Sequence, residues 1–202
     1  MRKIHLILLI GLGIFLLFGG CKKGTVTLQE EVQYTLEDLI AQGWAAFEEG
    51  NYMTAKDKFY SAKMKDPLEK EVYSGLGWSF FKLDSLEQAS NEFNICACLS
   101  EPTADIAAGW AFTLNTMKEY ASSTEKASTA LVLNPSWVFS HGLSLDIRDL
   151  HLLKAEHYYL LGYFAESLAE VKILNPVFTA DVTTDFGRSE LAAEIERLKG
   201  EV

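Results

Sequence analysis

Three cysteines, four histidines and 28 carboxylates are the groups in this 202-residue chain that could hold a metal or carry out nucleophilic or acid–base chemistry. Their spacing argues against most of it. Cys96 and Cys98 lie in a segment of helical periodicity, where residues two apart point about 200° away from one another, so a mutual disulfide is difficult. With no histidine nearby the pair also makes a poor zinc site. Cys96 is read as a small core residue. His151 and His157 are six apart and so on different faces of one helix, and Asp146, Asp149 and Glu156 around them fit no ligand spacing; both histidines are expected at the surface. Glu30-Glu31 and Glu48-Glu49 are adjacent pairs, which diverge on a helix and cannot share a substrate atom as paired catalytic carboxylates do. The sequence holds no nucleophile elbow, phosphate-binding loop or dinucleotide fingerprint. No enzyme, cofactor or metal is expected.

Cys21 stands in a different context. Arg2-Lys3, the apolar run Ile4 to Phe18 and the small residues Gly19-Gly20 have the layout of a secretory signal peptide over residues 1–20. The run is short beside the ~20 apolar residues of a bilayer span, and an uncleaved N-terminal anchor helix is the alternative. Phe18-Gly19-Gly20-Cys21 resembles the lipobox of bacterial lipoproteins, with phenylalanine where leucine is usual. That resemblance implies a lipid on the Cys21 thiol, hence a membrane partner, with residues 21–34 as a tether. Lys22 and Lys23 then imply the outer membrane, facing the periplasm, because aspartate after the cysteine is what tends to hold such proteins at the inner one. Removing the signal leaves 16 basic residues against 28 acidic ones, a net charge of −12. Such a surface repels phosphate backbones, so nucleic acid is not an expected partner.

What must position any binding group is a repeat. Gly43-Trp44 returns as Gly77-Trp78 and Gly109-Trp110, at spacings of 34 and 32. Gly43, Ala55, Phe59 and Ala62 recur in one register as Gly77, Ala89, Phe93 and Cys96. Pro67, Pro102, Pro135 and Pro176 each close a unit, since proline cannot continue a helix. Within a unit the pattern reads as two helices. Thr35-x-x-Asp38 is a capping-box-like start and Gly50-Asn51 a turn, and Tyr52 to Lys65 is the second helix. Further pairs are expected at about 70–82 and 86–99, 104–117 and 120–133, and 150–161 and 164–174.

This 34-residue helix-turn-helix resembles the tetratricopeptide repeat, over about Thr35 to Pro176. The resemblance implies an all-α solenoid with units at 35–67, 69–102, 103–135 and 149–176. The third unit carries Ser123 in place of alanine and has its Gly-Trp two residues out of step, and an insertion, Ser136 to Arg148, precedes the fourth. Residues 177–202 hold a loop and a capping helix, Ser189 to Lys199, with Leu191, Ile195 and Leu198 on its apolar stripe. Family members bind peptides or helices of other proteins in the concave groove. On that footing Trp44, Trp78 and Trp110, with Phe47 and Phe81 three residues after the first two, form a partner-binding ladder. The same aromatics also fit internal packing, under a neighbouring helix or under Trp137-Val138-Phe139. The function implied is a lipid-anchored envelope scaffold or adaptor for a protein or peptide partner; a carrier of sugar or lipid in an aromatic groove is the competing reading.

Overall fold

The computed structural model describes residues 33–99 and 101–201. The expected signal peptide over residues 1–20 and the expected lipidation site Cys21 lie outside the described residues. Eight helices form four hairpins: α1 (Leu36–Glu48) with α2 (Tyr52–Lys65), α3 (Lys70–Lys82) with α4 (Leu86–Leu99), α5 (Ala104–Thr116) with α6 (Tyr120–Leu133), and α7 (Ile147–Leu160) with α8 (Phe164–Leu174). α9 (Asp185–Lys199) packs on α7 and α8. The fold is an all-α solenoid, as the repeat implies.

Local chemistry sets the boundaries. At α1, Thr35 Oγ1 accepts from the Asp38 amide at 3.1 Å while Asp38 Oδ2 accepts from the Thr35 amide at 3.0 Å, which satisfies two otherwise orphaned donors. Those bonds also hold the Asp38 carboxyl below its ordinary pKa. Each hairpin turns through one left-handed residue at the same register: Gly50, Asp84, Lys118 and Gly162, with φ of 78°, 56°, 63° and 83°. The expected helix ranges hold in α2 to α6 to within a residue. α7 begins three residues before the expected position 150, because Asp146 and Asp149 make a second capping box. α9 begins four residues before the expected position 189, because the Thr184 hydroxyl accepts from the Gly187 amide at 3.0 Å.

Stacking rests on a pairing of small with large. Phe59 is fully buried between Gly43 of its own hairpin and Gly75 of the next, and Phe93 lies in the same way between Gly77 and Gly109. A Cβ added at Gly75 would lie 2.3 Å from the Phe59 ring, and one at Gly77 or Gly109 2.5 Å from Phe93. In the third hairpin the phenylalanine position holds Ala127, and the corresponding flanking positions hold Ala111 and Leu153, so a smaller centre has larger neighbours. Ser123 replaces the alanine of the first two units because its hydroxyl donates to the Ala111 carbonyl at 2.7 Å; Ser167 does the same to Ala155, also at 2.7 Å. These two bonds fix the fourth register, with an interval of 44 residues, Ala111 to Ala155, in place of 34.

α3 packs on α1 and α5 besides its own partner α4, whereas α2, α4 and α6 pack on odd-numbered neighbours. The odd helices therefore form the inner, concave layer. Two apolar cores result, one running from α1 to the Leu150/Leu153 side of α7, the other joining Leu152 and Ala155 of α7 to Val171 and the α9 stripe Leu191, Ile195 and Leu198. Among the described residues no helix is long and apolar enough to cross a membrane.

Both histidines expected at the surface belong instead to the packing of α7. His157 is fully buried between hairpins, with Nε2 2.8 Å from Asn115 Oδ1 and Nδ1 3.2 Å from the Thr124 hydroxyl. Burial pushes its pKa down to about 4, so the ring is neutral. His151 is half-buried and meets Glu170 at 2.7 Å, while Lys154 meets the other carboxylate oxygen at 2.6 Å. Burial alone would raise the Glu170 pKa; the hydrogen bonds from His151 and Lys154 outweigh it and hold the carboxylate below its ordinary range. Cys96 is buried, its thiol pushed up to about 11 by desolvation, and Cys98 is exposed.

Candidate functional site

The insertion between α6 and α7 turns inward and lies on the concave layer as a strap. Its burial alternates: Trp137 and Phe139 are buried and His141, Leu143 and Leu145 half-buried, while Val138, Ser140, Gly142 and Ser144 are exposed. That period of two is the mark of an extended chain with one face against a surface. The Phe139 amide donates to the Leu145 carbonyl at 2.9 Å, and Val138 bridges Asp146 in antiparallel fashion, so the strap doubles back on itself. Gly142, at φ +73°, turns it over α1; a Cβ there would stand 3.2 Å from Glu48 Cα.

The strap meets the aromatic residues expected to line an open groove. Phe139 lies over Trp78 with ring centroids 4.2 Å apart, and its edges reach Trp44 at 6.2 Å and Phe47 at 6.1 Å. His141 stacks on Trp44 at 3.7 Å, the two rings nearly parallel, and its Nδ1 lies 3.1 Å from Glu48 Oε1. Trp78 is fully buried, Phe47 2% exposed and Trp44 7% exposed. A solvated ladder at these three positions is thus corrected: apolar rings on a concave face are covered by the chain's own aromatic segment, which removes both surfaces from water. Phe81 is half-buried and touches the edge of Trp78 at 6.0 Å.

Trp110 leaves the ladder for another reason. Gly109 stands 34 residues after Gly75, so Trp110 has the register of Leu76, and Phe112 has that of Trp78. Trp110 points away from the concave face, donating from Nε1 to Ser90 Oγ at 3.0 Å, with the Lys126 ammonium 4.4 Å from its ring centroid. Phe112 takes the inner place, 6.3 Å from Trp78 and 6.4 Å from Trp137.

A carboxylate recurs in the first turn of the inner helices, where the helix dipole favours it: Glu37, Glu71, Asp105 and, across the longer interval, Asp149. Trp44 Nε1 donates to Glu71 Oε1 at 3.0 Å and Trp137 Nε1 to Asp105 Oδ1 at 2.6 Å. Between these two acids opens a cleft of about 240 Å³, walled by Trp44 and His141 and rimmed by Glu69, Lys70, Ser74 and Thr103. Neither Glu71, Asp105 nor His141 was singled out from the sequence, although the 34-residue spacing of the two acids in the Gly75/Gly109 register was there to be read. Among the described residues no group of three or more histidines, cysteines or carboxylates is placed to hold a metal ion.

No protein-family model matches the sequence, and no curated protein does. Solved structures do match. YrrB, described as a TPR protein with an unusual peptide-binding site, superposes with a TM-score of 0.64 at 12% identity, over 82% of this chain and 87% of its own. A crystal structure of MamA gives 0.58 at 16% identity, over 83% and 82%. PilF of Pseudomonas aeruginosa gives 0.57 at 17% identity, over 79% and 67%. At such identities the likeness is one of fold, and the fold is the tetratricopeptide-repeat solenoid.

Proposed function

We propose that this tetratricopeptide-fold chain is a protein-interaction scaffold whose concave face receives a segment of another protein, and that lipid on Cys21 holds it at a bacterial envelope membrane. The observation that carries the binding reading is the cleft between Glu71 and Asp105. Two carboxylates at one register, open on the inner layer of a solenoid and backed by a stacked Trp44–His141 pair, fit N–H donors and basic groups of a peptide. The mature net charge of −12 adds long-range attraction for such a partner. The peptide-binding description of YrrB supports the same use of the fold. A small-ligand carrier is less well supported: 240 Å³ falls below the ~300–1,000 Å³ of most ligand pockets, and the aromatic surface such a ligand would use is under the strap. No catalytic role is proposed.

The test is a photo-crosslinking residue placed at Glu69, on the cleft rim, or at Met64, exposed on outer helix α2, in cells carrying the full chain. A discrete protein adduct is expected from position 69 and none from 64, and Glu71→Gln with Asp105→Asn should reduce it. Equal labelling at both positions, or at neither, defeats the scaffold reading. Separately, Cys21→Ser is expected to abolish acyl labelling; label retained by that variant defeats the anchor.

A further inference from the structure

We propose that the strap is an intramolecular ligand: residues 137–145 occupy the surface of α1, α3 and α5 that a partner takes in trans, and that partner presents an extended segment with aromatic residues at positions i and i+2 and an imidazole or cationic group at i+4. The inference rests on the scaffold reading and gives it a partner chemistry.

Three observations carry it. From Trp137 to His141, before the turn at Gly142, the strap is bound as a peptide is bound, extended, with alternate side chains turned to the surface. Each inward residue meets a different feature of that surface: the Trp137 indole N–H bonds Asp105, the Phe139 ring covers Trp78, and the His141 ring stacks on Trp44 with its nitrogen at Glu48. A segment that matches these three groups matches the site.

The third observation shows that the seat is not fully satisfied. Trp78 Nε1 is buried and has no hydrogen-bond partner among the described residues. In the first hairpin the equivalent indole, Trp44, donates to the acid 27 residues on, Glu71. The acid 27 residues after Trp78 is Asp105, and Trp137 holds it. With the strap seated, Asp105 Oδ1 accepts from Trp137 and the Trp78 indole N–H is left buried and unpaired, which is unfavourable. In the open state, before a partner arrives, the Trp78 N–H is freed to find an acceptor, and this lowers the cost of lifting the strap. Covalent continuity with α6 and α7 keeps the strap at high effective concentration, so a competing segment must present the same groups to displace it.

The test uses the full chain and a synthetic peptide of residues 136–146, with a control peptide in which its third and fourth residues, the valine and phenylalanine of positions 138 and 139, are exchanged so that the aromatics are adjacent. Trp137→Phe keeps a smaller aromatic ring at the position and removes the donor to Asp105; it is expected to fold and to bind the peptide about tenfold more tightly than the parent does, the order of one charge-assisted hydrogen bond. The control peptide should bind at least about tenfold more weakly than the matching one, since one side of an extended chain can no longer present both rings. Binding should also release the Phe139 amide, read by hydrogen exchange. The proposal is overturned by equal binding of the two peptides, by no binding to a Trp137→Phe protein with native circular dichroism, or by binding that leaves the Phe139 amide protected. Dimerisation of Trp137→Phe would overturn it in favour of a second copy as occupant. A cleft adduct at position 69 combined with no peptide binding would sink the strap proposal alone, while peptide binding without any cellular adduct would sink the scaffold reading.

Discussion

Gly75 and His157 show how single residues hold neighbouring hairpins together. The Phe59 ring is fully buried and has nowhere to swing, so Gly75→Ala brings a methyl 2.3 Å from it. Alanine is the better helix former by about 1 kcal/mol, yet the overpacking should win and destabilise the protein by about 1–3 kcal/mol. Urea unfolding of Gly75→Ala, with partial recovery in Gly75→Ala/Phe59→Leu, checks this; a single variant as stable as the parent would show that the hairpins do not meet there. His157 takes a proton near pH 6.5 when unfolded and only near 4 when folded. The unfolded chain thus binds more protons between those values. The stability contributed by the neutral buried ring is complete above about pH 6.5 and declines as the pH falls toward 4, by up to about 3 kcal/mol. Stability measured across pH 4–7 should show a shallower slope in His157→Gln. The recurrence of Gly43 and Phe59 was legible in the sequence because a packed pair leaves the same residue types at a fixed interval. The burial of His157 was not, because it depends on Asn115 and Thr124 from another hairpin, and pairing across hairpins leaves no local pattern.

Among the elements, α9 and the strap had opposite legibility. The α9 stripe Leu191, Ile195 and Leu198 repeats with helical period, and all three residues are buried as that period requires. Leu191→Ala opens the smaller core, where α7, α8 and α9 meet, and should cost about 2–5 kcal/mol. Because that core holds few large residues, the loss should appear as earlier melting of the C-terminal helices in hydrogen exchange, while α3 to α5 keep their protection. Uniform loss of protection along the chain would instead mean that the array unfolds as one cooperative unit. Trp137, Val138 and Phe139 were visible as an aromatic insertion, and covering of the tryptophans by them stood as one of two readings. The sequence could not decide between them, since a short alternating segment has an apolar side without stating which surface lies beneath it. Trp110 misled for a related reason: the same dipeptide in a register shifted by two residues points some 200° away on a helix.

From Tyr34 onward the chain is a linear stack, and most of its energetics follows from neighbour on neighbour, which is why a 34-residue period in the sequence was enough to read the architecture. The strap departs from that rule. It leaves α6, crosses α5 and α3, and fastens at α1 through the His141–Glu48 and His141–Trp44 contacts, a reach of 93 residues between Glu48 and His141. In mechanical terms a solenoid is a spring, compliant because each hairpin can rotate slightly on the next, and the strap is a tie across the inside of its curve. Pulling the ends apart loads the tie before it loads the helix interfaces. With the tie seated, the first three hairpins are expected to move as one stiff segment, and with it released to recover the give of an ordinary spring. Occupancy of the concave face is thereby expected to set how far the first three hairpins bend, while the fourth hairpin and α9 lie beyond the tie.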